Sequence, residues 1–185
     1  MLETTSEKYC VFRQASDWYA FPALAVLEVA PAPEVISIPN SDQVLAGMCH
    51  LRNEFLPVLR LQTLAGEATA KAPGEQQLLV VHGTQGPWAL LVDRVAGLET
   101  LEVSPSYETP IADDWAAAVA GSATLCSQLV RVLDARRVYC LADSILRQHW
   151  KKPLRNSSER NDFVARTSAL TSGEPWTSLA GDRDN

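Results

Sequence analysis

The chain lacks the groups from which most catalytic sites are built. Its 3 histidines, His50, His82 and His149, lie far apart, and none has a cysteine or second histidine at metal-ligand spacing, which argues against a zinc site. No P-loop, G-x-G-x-x-G, G-x-S-x-G or H-E-x-x-H occurs, so phosphate, dinucleotide, acyl-transfer and metalloprotease chemistry each lose their sequence signature. The 4 cysteines, Cys10, Cys49, Cys126 and Cys140, stand singly in apolar stretches without a C-x-x-C pair, which predicts reduced core residues and no disulfide. Long hydrophobic runs are missing too. None approaches the roughly 18 residues a membrane helix needs, and Glu28 interrupts one of them. Residues 1–8 carry two glutamates and no apolar core of a signal peptide, so a cytoplasmic protein without membrane insertion is expected. Positive charge is in deficit: 16 Lys+Arg against 22 Asp+Glu give a net charge of −6 and a pI near 5.1. Such a surface repels phosphates, and no nucleic-acid partner is expected. The acidity sits in residues 1–150, with 10 basic and 17 acidic groups, while residues 151–185 carry 6 and 5.

What the chain does have is apolar material in short pieces. With 46% hydrophobic residues over 185 positions it can bury one good core or two small linked ones. From Tyr9 to Leu133 short apolar runs alternate with turn residues, an all-β rhythm. Residues 8–13 and 18–21 flank an Ala15-Ser16-Asp17 turn and predict an opening hairpin. Residues 24–29 are ambiguous between helix and strand, because alanine and leucine favour one and the valines the other; Pro31 and Pro33 stop either. Further strands are predicted at 35–38, 77–81, 88–92, 98–103, 119–125 and 129–133, with a turn at 82–87 and an exposed loop at 104–114. The polar, alanine- and glycine-bearing stretch 65–75 is the candidate subdomain boundary, placed near 65–76. Asp134 is a good N-cap, and Val138, Leu141, Ala142 and Ile145 recur at helical spacing, predicting an amphipathic helix from Ala135 to about Trp150. Residues 1–8 read as a tail. At the other end 149–185 reads as a disordered tail, rich in Ser, Thr and Asn past Pro153, with Phe163-Val164 and Trp176 as isolated apolar points.

The most organised stretch is 38–61, IPNSDQVLAGMCHLRNEFLPVLRL. Ser41 can cap a short helix over 42–46, with Val44 and Leu45 inward and Gly47 ending it. Residues 48–51 and 55–59 predict two strands joined at the Arg52-Asn53-Glu54 corner, where Asn53 suits left-handed backbone. Pro57 cannot donate to a ladder, which predicts an edge strand or a bulge, and edge strands are places where partners bind. The remaining polar groups carry little: Asp113-Asp114 reads as solvated loop acids, and Ser122 lacks a paired histidine. Glu28, Arg52 and Arg60 stand out because each lies in or beside an apolar segment. Their plain reading is a solvent-facing side chain on an amphipathic strand.

Within this stretch Ile38-Pro39-Asn40, then Gly47 with Leu51-Arg52, then Pro57-Val58 with Leu61, resembles the CheW scaffold proteins of bacterial chemotaxis. The flanks agree: the opening hairpin, the 24–29 segment, Trp88 to Asp93 with Arg94-Val95, and Leu129 to Leu133 with Asp134 follow the family's order, so the resemblance runs from about Tyr9 to Leu146. Arg60 stands where the family usually has an acid, Asn53 where it has glycine, and the segment before Leu129 lacks a glycine-rich turn. The resemblance implies a mainly β fold over 9–148, with two SH3-like five-stranded barrel subdomains side by side, short helices and a C-terminal helix across them. It implies no catalytic activity and no cofactor. It implies an adaptor between the cytoplasmic tip of a methyl-accepting chemoreceptor and the regulatory domain of a CheA-type histidine kinase, with Val26, Glu28, Gly47 and Arg52 on the contact surface. An adaptor of a pilus or other surface-motility pathway is the second reading, and a small enzyme with an unrecognised site the third.

Overall fold

Residues 7–66, 75–106 and 114–151 are described by the computed structural model. The expectations for the N-terminal tail, most of the 65–75 connection, Asp113, and Phe163, Val164 and Trp176 lie outside the described residues.

The opening hairpin is Lys8–Gln14 (β1) and Asp17–Pro22 (β2), and a 3-10 turn at Ala23–Ala25 leads to Val26–Pro31 (β3). Next come Val35–Ile36 (β4), Leu45–Leu51 (β5), Glu54–Arg60 (β6) and a single helical turn, Leu61–Leu64 (α1). The second half holds Gln77–Val81 (β7), Trp88–Val92 (β8), Arg94–Thr100 (β9), Ser104–Pro105 (β10), the short helix Trp115–Ala118 (α2), Val119–Leu125 (β11), Gln128–Leu133 (β12) and Ala135–Lys151 (α3). These strands form two sheets, β10-β11-β12-β2-β1-β9 and β3-β7-β8-β6-β5-β4. Each has five longer strands plus one two-residue strand at its edge, and each encloses its own apolar cluster, so the expected pair of five-stranded barrels is present.

The barrels do not divide at the 65–75 connection. Hairpin β1–β2 belongs with β9–β12, and hairpin β7–β8 belongs with β3–β6. Both sheets then have the same order: a two-residue strand, a hairpin, a parallel contact, a second hairpin strand pair and a closing strand. The details repeat as well. The turns Arg52-Asn53 and Cys126-Ser127 are both two residues long with positive φ at each position, the primed geometry that follows the natural twist of a hairpin. A register shift precedes Gly47 in β5 and Gly121 in β11. At both glycines an added Cβ would strike the neighbouring backbone, 2.1 Å from the carbonyl oxygen of Ile36 and 2.5 Å from that of Ser104.

Between the barrels lies the largest core cluster. Alternate residues of one strand serve different cores: Val11 and Ala20 point into the first barrel, while Phe12, Tyr19 and Phe21 join Trp88, Leu90 and Leu133 in the shared core. Strands buried on both faces need no polar alternation, which is why these runs read as continuously apolar. Trp88 is fully buried at the meeting point, with its ring 6.3 Å from Phe21 and 5.9 Å from Tyr139, and its Nε1 donating to the His82 carbonyl. Helix α3 covers this core with Val138, Leu141 and Ala142. Asp134 starts it as expected, its carboxylate accepting from the Arg137 backbone N–H at 3.0 Å.

Several local expectations give way. Residues 42–46 form a turn and the start of β5, not a helix: the Asp42 carboxylate accepts from the Val44 N–H and the Asp42 carbonyl from the Leu45 N–H, and the chain then passes directly into β5. Consequently Gly47 is inside a strand and ends no helix. The strand carrying Pro57 is interior, between β5 and β8, and it tolerates proline because the pairing with β8 begins at Val58. The strand predicted at 98–103 lies earlier, at Arg94–Thr100. All four cysteines are free, but only Cys10 and Cys49 are buried; Cys126 occupies a hairpin turn and Cys140 an exposed position on α3. Burial pushes the thiols of Cys10 and Cys49 above the ordinary cysteine range.

Candidate functional site

Of the predicted contact residues Val26, Glu28, Gly47 and Arg52, the structure brings Glu28 and Arg52 together, on the barrel that contains β3 to β8. β3 is the closing strand of its sheet, and its pairing with β7 slips by one residue at Leu27, a bulge that re-aims the side chains beyond it. Glu28 follows the bulge. Opposite stands the β5–β6 turn, in which Arg52 holds φ of 47° and Asn53 67°. The two charges meet there: Arg52 Nε and Nη2 donate to Glu28 Oε1 at 3.0 and 2.9 Å. Both donors converge on one oxygen, so among the described residues Glu28 Oε2 and Arg52 Nη1 are left available. Arg52 is 78% exposed and Glu28 26%, so the pair is worth only about 0.2 to 1 kcal/mol to folding.

Around the pair is a shallow groove of about 120 Å³ lined by Leu27, Leu51, Glu54, Leu56, Val80 and Pro87 as well as the two charges. Leu27 and Val29 on β3 are exposed, as is Leu24 just before it, so the rim is largely apolar, with the ion pair across it and Glu54 beside it. Val26 is half-buried and packs against the shared core at the root of this strand. Gly47 is placed differently from expectation. It is buried, its φ is +149°, and the backbone it approaches closely is Ile36 of the same chain, so its smallness serves the crossing of β4 and β5.

Two further charges have defined roles that the sequence did not signal. Arg60 was expected to face solvent; it is half-buried, and Nη1 donates to the carbonyls of Gln43 and Leu45 while its own backbone N–H donates to that of Val44. It therefore clamps the turn before β5. Asp93 accepts from Gln14 Nε2 at 3.1 Å and from the Ala15 backbone N–H at 2.6 Å, tying the β8–β9 junction to the β1–β2 turn. Partners about 80 positions away leave no local pattern to read. Ser122 lies on β11 opposite Arg131. Among the described residues no group of three or more His, Cys, Asp or Glu is placed to hold a metal ion, and no helix is long and apolar enough to cross a membrane.

Two small barrels with exchanged hairpins, a shared core and a C-terminal helix over it define a double-barrel fold of the CheW type. The chain belongs to the family of CheW-like domains, whose model matches residues 8–140. It is similar to the chemotaxis protein CheW of Klebsiella aerogenes, at 18% identity over 157 residues covering 80% of this chain and 93% of that protein. The scaffolding protein TtCheW from Thermoanaerobacter tengcongensis has the same fold, with a TM-score of 0.64 at 20% identity, covering 72% of this chain and 92% of that one.

Proposed function

We propose that this protein is a cytoplasmic chemotaxis adaptor that couples the tip of a methyl-accepting chemoreceptor to the regulatory domain of a CheA-type histidine kinase, without catalysing a reaction itself. Membership of the CheW-like family and the roles of its relatives, a chemotaxis protein and a scaffolding protein, support the reading. The observation that carries it on this chain is the Glu28–Arg52 pair, two charges held together across an apolar rim where they contribute little to folding. Charges in such a place suit recognition, because complementary potentials set partner choice and encounter rate at modest interfaces.

The test uses three variants: Glu28→Arg, Arg52→Glu, and the two combined. Each is titrated calorimetrically against the receptor-tip and kinase regulatory fragments. The single reversals leave two like charges facing each other, and unfolding midpoints move by no more than the equivalent of about 1 kcal/mol. Binding to at least one partner falls at least about thirtyfold, the effect of roughly 2 kcal/mol at a buried charge contact. The combined variant restores the internal pair with its polarity inverted. If recognition depends on that polarity, binding stays lost while stability returns; recovery of wild-type affinity would show that the pair only shapes the rim.

A further inference from the structure

The repeated architecture allows the two barrels to be compared position by position, and one face differs. On the outside of β4, β5 and β6, Ile36 lies beside Met48 and Met48 beside Pro57, while His50 lies beside Phe55. The corresponding pairs on β10, β11 and β12 are Ser104 with Ser122, Ser122 with Arg131, and Thr124 with Leu129. The same barrel is thus built with mostly polar side chains at these positions, and the apolar set on β4–β6 is not a requirement of the fold. Nor is it covered: Ile36 is 65% exposed and Phe55 70%, with the Phe55 ring 5.0 Å from the tilted ring of His50. Glu34, immediately before β4 and two residues from Ile36, is an exposed acid at its border, with no salt-bridge partner among the described residues.

We propose that this outer face of β4–β6 docks an amphipathic helix of a partner protein, with an apolar stripe flanked by lysine or arginine. The spacing fits. Ile36 to Pro57 spans two strand separations, about 9.6 Å, and helix positions i and i+7 are about 10.5 Å apart, so a helix laid across the strands meets Ile36, Met48 and Pro57 in successive turns. Apolar anchors at i, i+3 or i+4 and i+7 are the common form of helix recognition. Basic flanks follow from Glu34 and from the acidic balance of residues 1–150. None of Val26, Glu28 and Arg52 belongs to this face.

The full chain is titrated with a synthetic amphipathic helix of about 20 residues bearing lysine flanks, and with its glutamate-flanked twin, by fluorescence anisotropy. The lysine-flanked helix binds, and its twin binds at least tenfold more weakly. Ile36→Ser and Phe55→Ser, which import the polar character of the other barrel, each lower affinity at least tenfold with an unchanged unfolding midpoint, whereas Leu129→Ser has no effect. Glu34→Lys reduces the preference for the lysine-flanked helix over its twin. Equal binding of both helices, binding by neither, or full binding by the Ile36→Ser and Phe55→Ser variants overturns the proposal. So does self-association of the wild type in sedimentation that these variants abolish, which would assign the face to a second copy. These variants leave Glu28 and Arg52 intact, so failure here is separable from failure of the charge-reversal test.

Discussion

Gly47 shows how one residue's identity is fixed by a neighbour that sequence does not reveal. Its φ of +149° belongs to a region essentially reserved for glycine, and a Cβ would sit 2.1 Å from the Ile36 carbonyl oxygen. Gly97 has a comparable φ of +147° but open space around it. Gly47→Ala is expected to cost at least about 3 kcal/mol and Gly97→Ala about 1 to 3 kcal/mol, the difference being the backbone clash. Thermal unfolding of both variants gives the order directly, and a Gly97→Ala protein less stable than Gly47→Ala would refute the steric account. Arg60 makes the opposite point, that a charge departing from a family pattern can acquire structural work. Arg60→Glu removes the donors to Gln43 and Leu45 and sets a carboxylate against those carbonyl oxygens. The expected loss is about 1 to 3 kcal/mol in denaturant unfolding, where a solvent-facing charge would change stability by within about 0.5 kcal/mol.

Among the elements, α3 was the most legible. Cap, apolar spacing and length all came from local chemistry, and the helix forms at Ala135–Lys151 with its predicted face buried. Asp134→Ala removes the carboxylate that accepts from the Arg137 N–H and is expected to cost about 1 kcal/mol, against a smaller effect for Asp134→Asn, which keeps a capping oxygen. Equal unfolding midpoints for Asp134→Ala and wild type would show that the cap is dispensable. Strands β7 and β8 were equally plain, at 77–81 and 88–92. The 42–46 segment was misread because serine, aspartate and apolar residues at that spacing suit a helix start as well as an Asx turn. What decides between them is Arg60 and the entry into β5, both non-local in the relevant sense: the Arg60 guanidinium lies 17 positions from Gln43.

At the level of the whole molecule the exchanged hairpins bind the two barrels into one folding unit. Neither barrel is complete without a hairpin from the other half of the chain, and the largest core lies between them. Unfolding one barrel therefore exposes the shared core and removes strands from the other. Hydrogen exchange is the appropriate test: the most protected amides of β12 and β2 should open with the same free energy as those of β6 and β8. A gap of more than about 1 kcal/mol between the two sets would mean that the barrels unfold separately.

Taken alone, the sequence determined the class of element at most positions, the mainly β architecture, the final helix and, through ordered motifs, membership of the CheW-like family. Those features depend on local propensity, capping and apolar spacing, which act over a few residues. The tertiary structure alone decided which hairpin completes which barrel, why Gly47 must be glycine, and that Glu28 and Arg52, 24 positions apart, touch each other. It also decided which apolar residues remain outside, since Phe55 and Leu56 are indistinguishable by composition and fall on opposite faces of one strand. The physical reason is common to all four. Pairing register and barrel closure are set by the combined burial of distant strands, and that sum has no expression in any short stretch of chain.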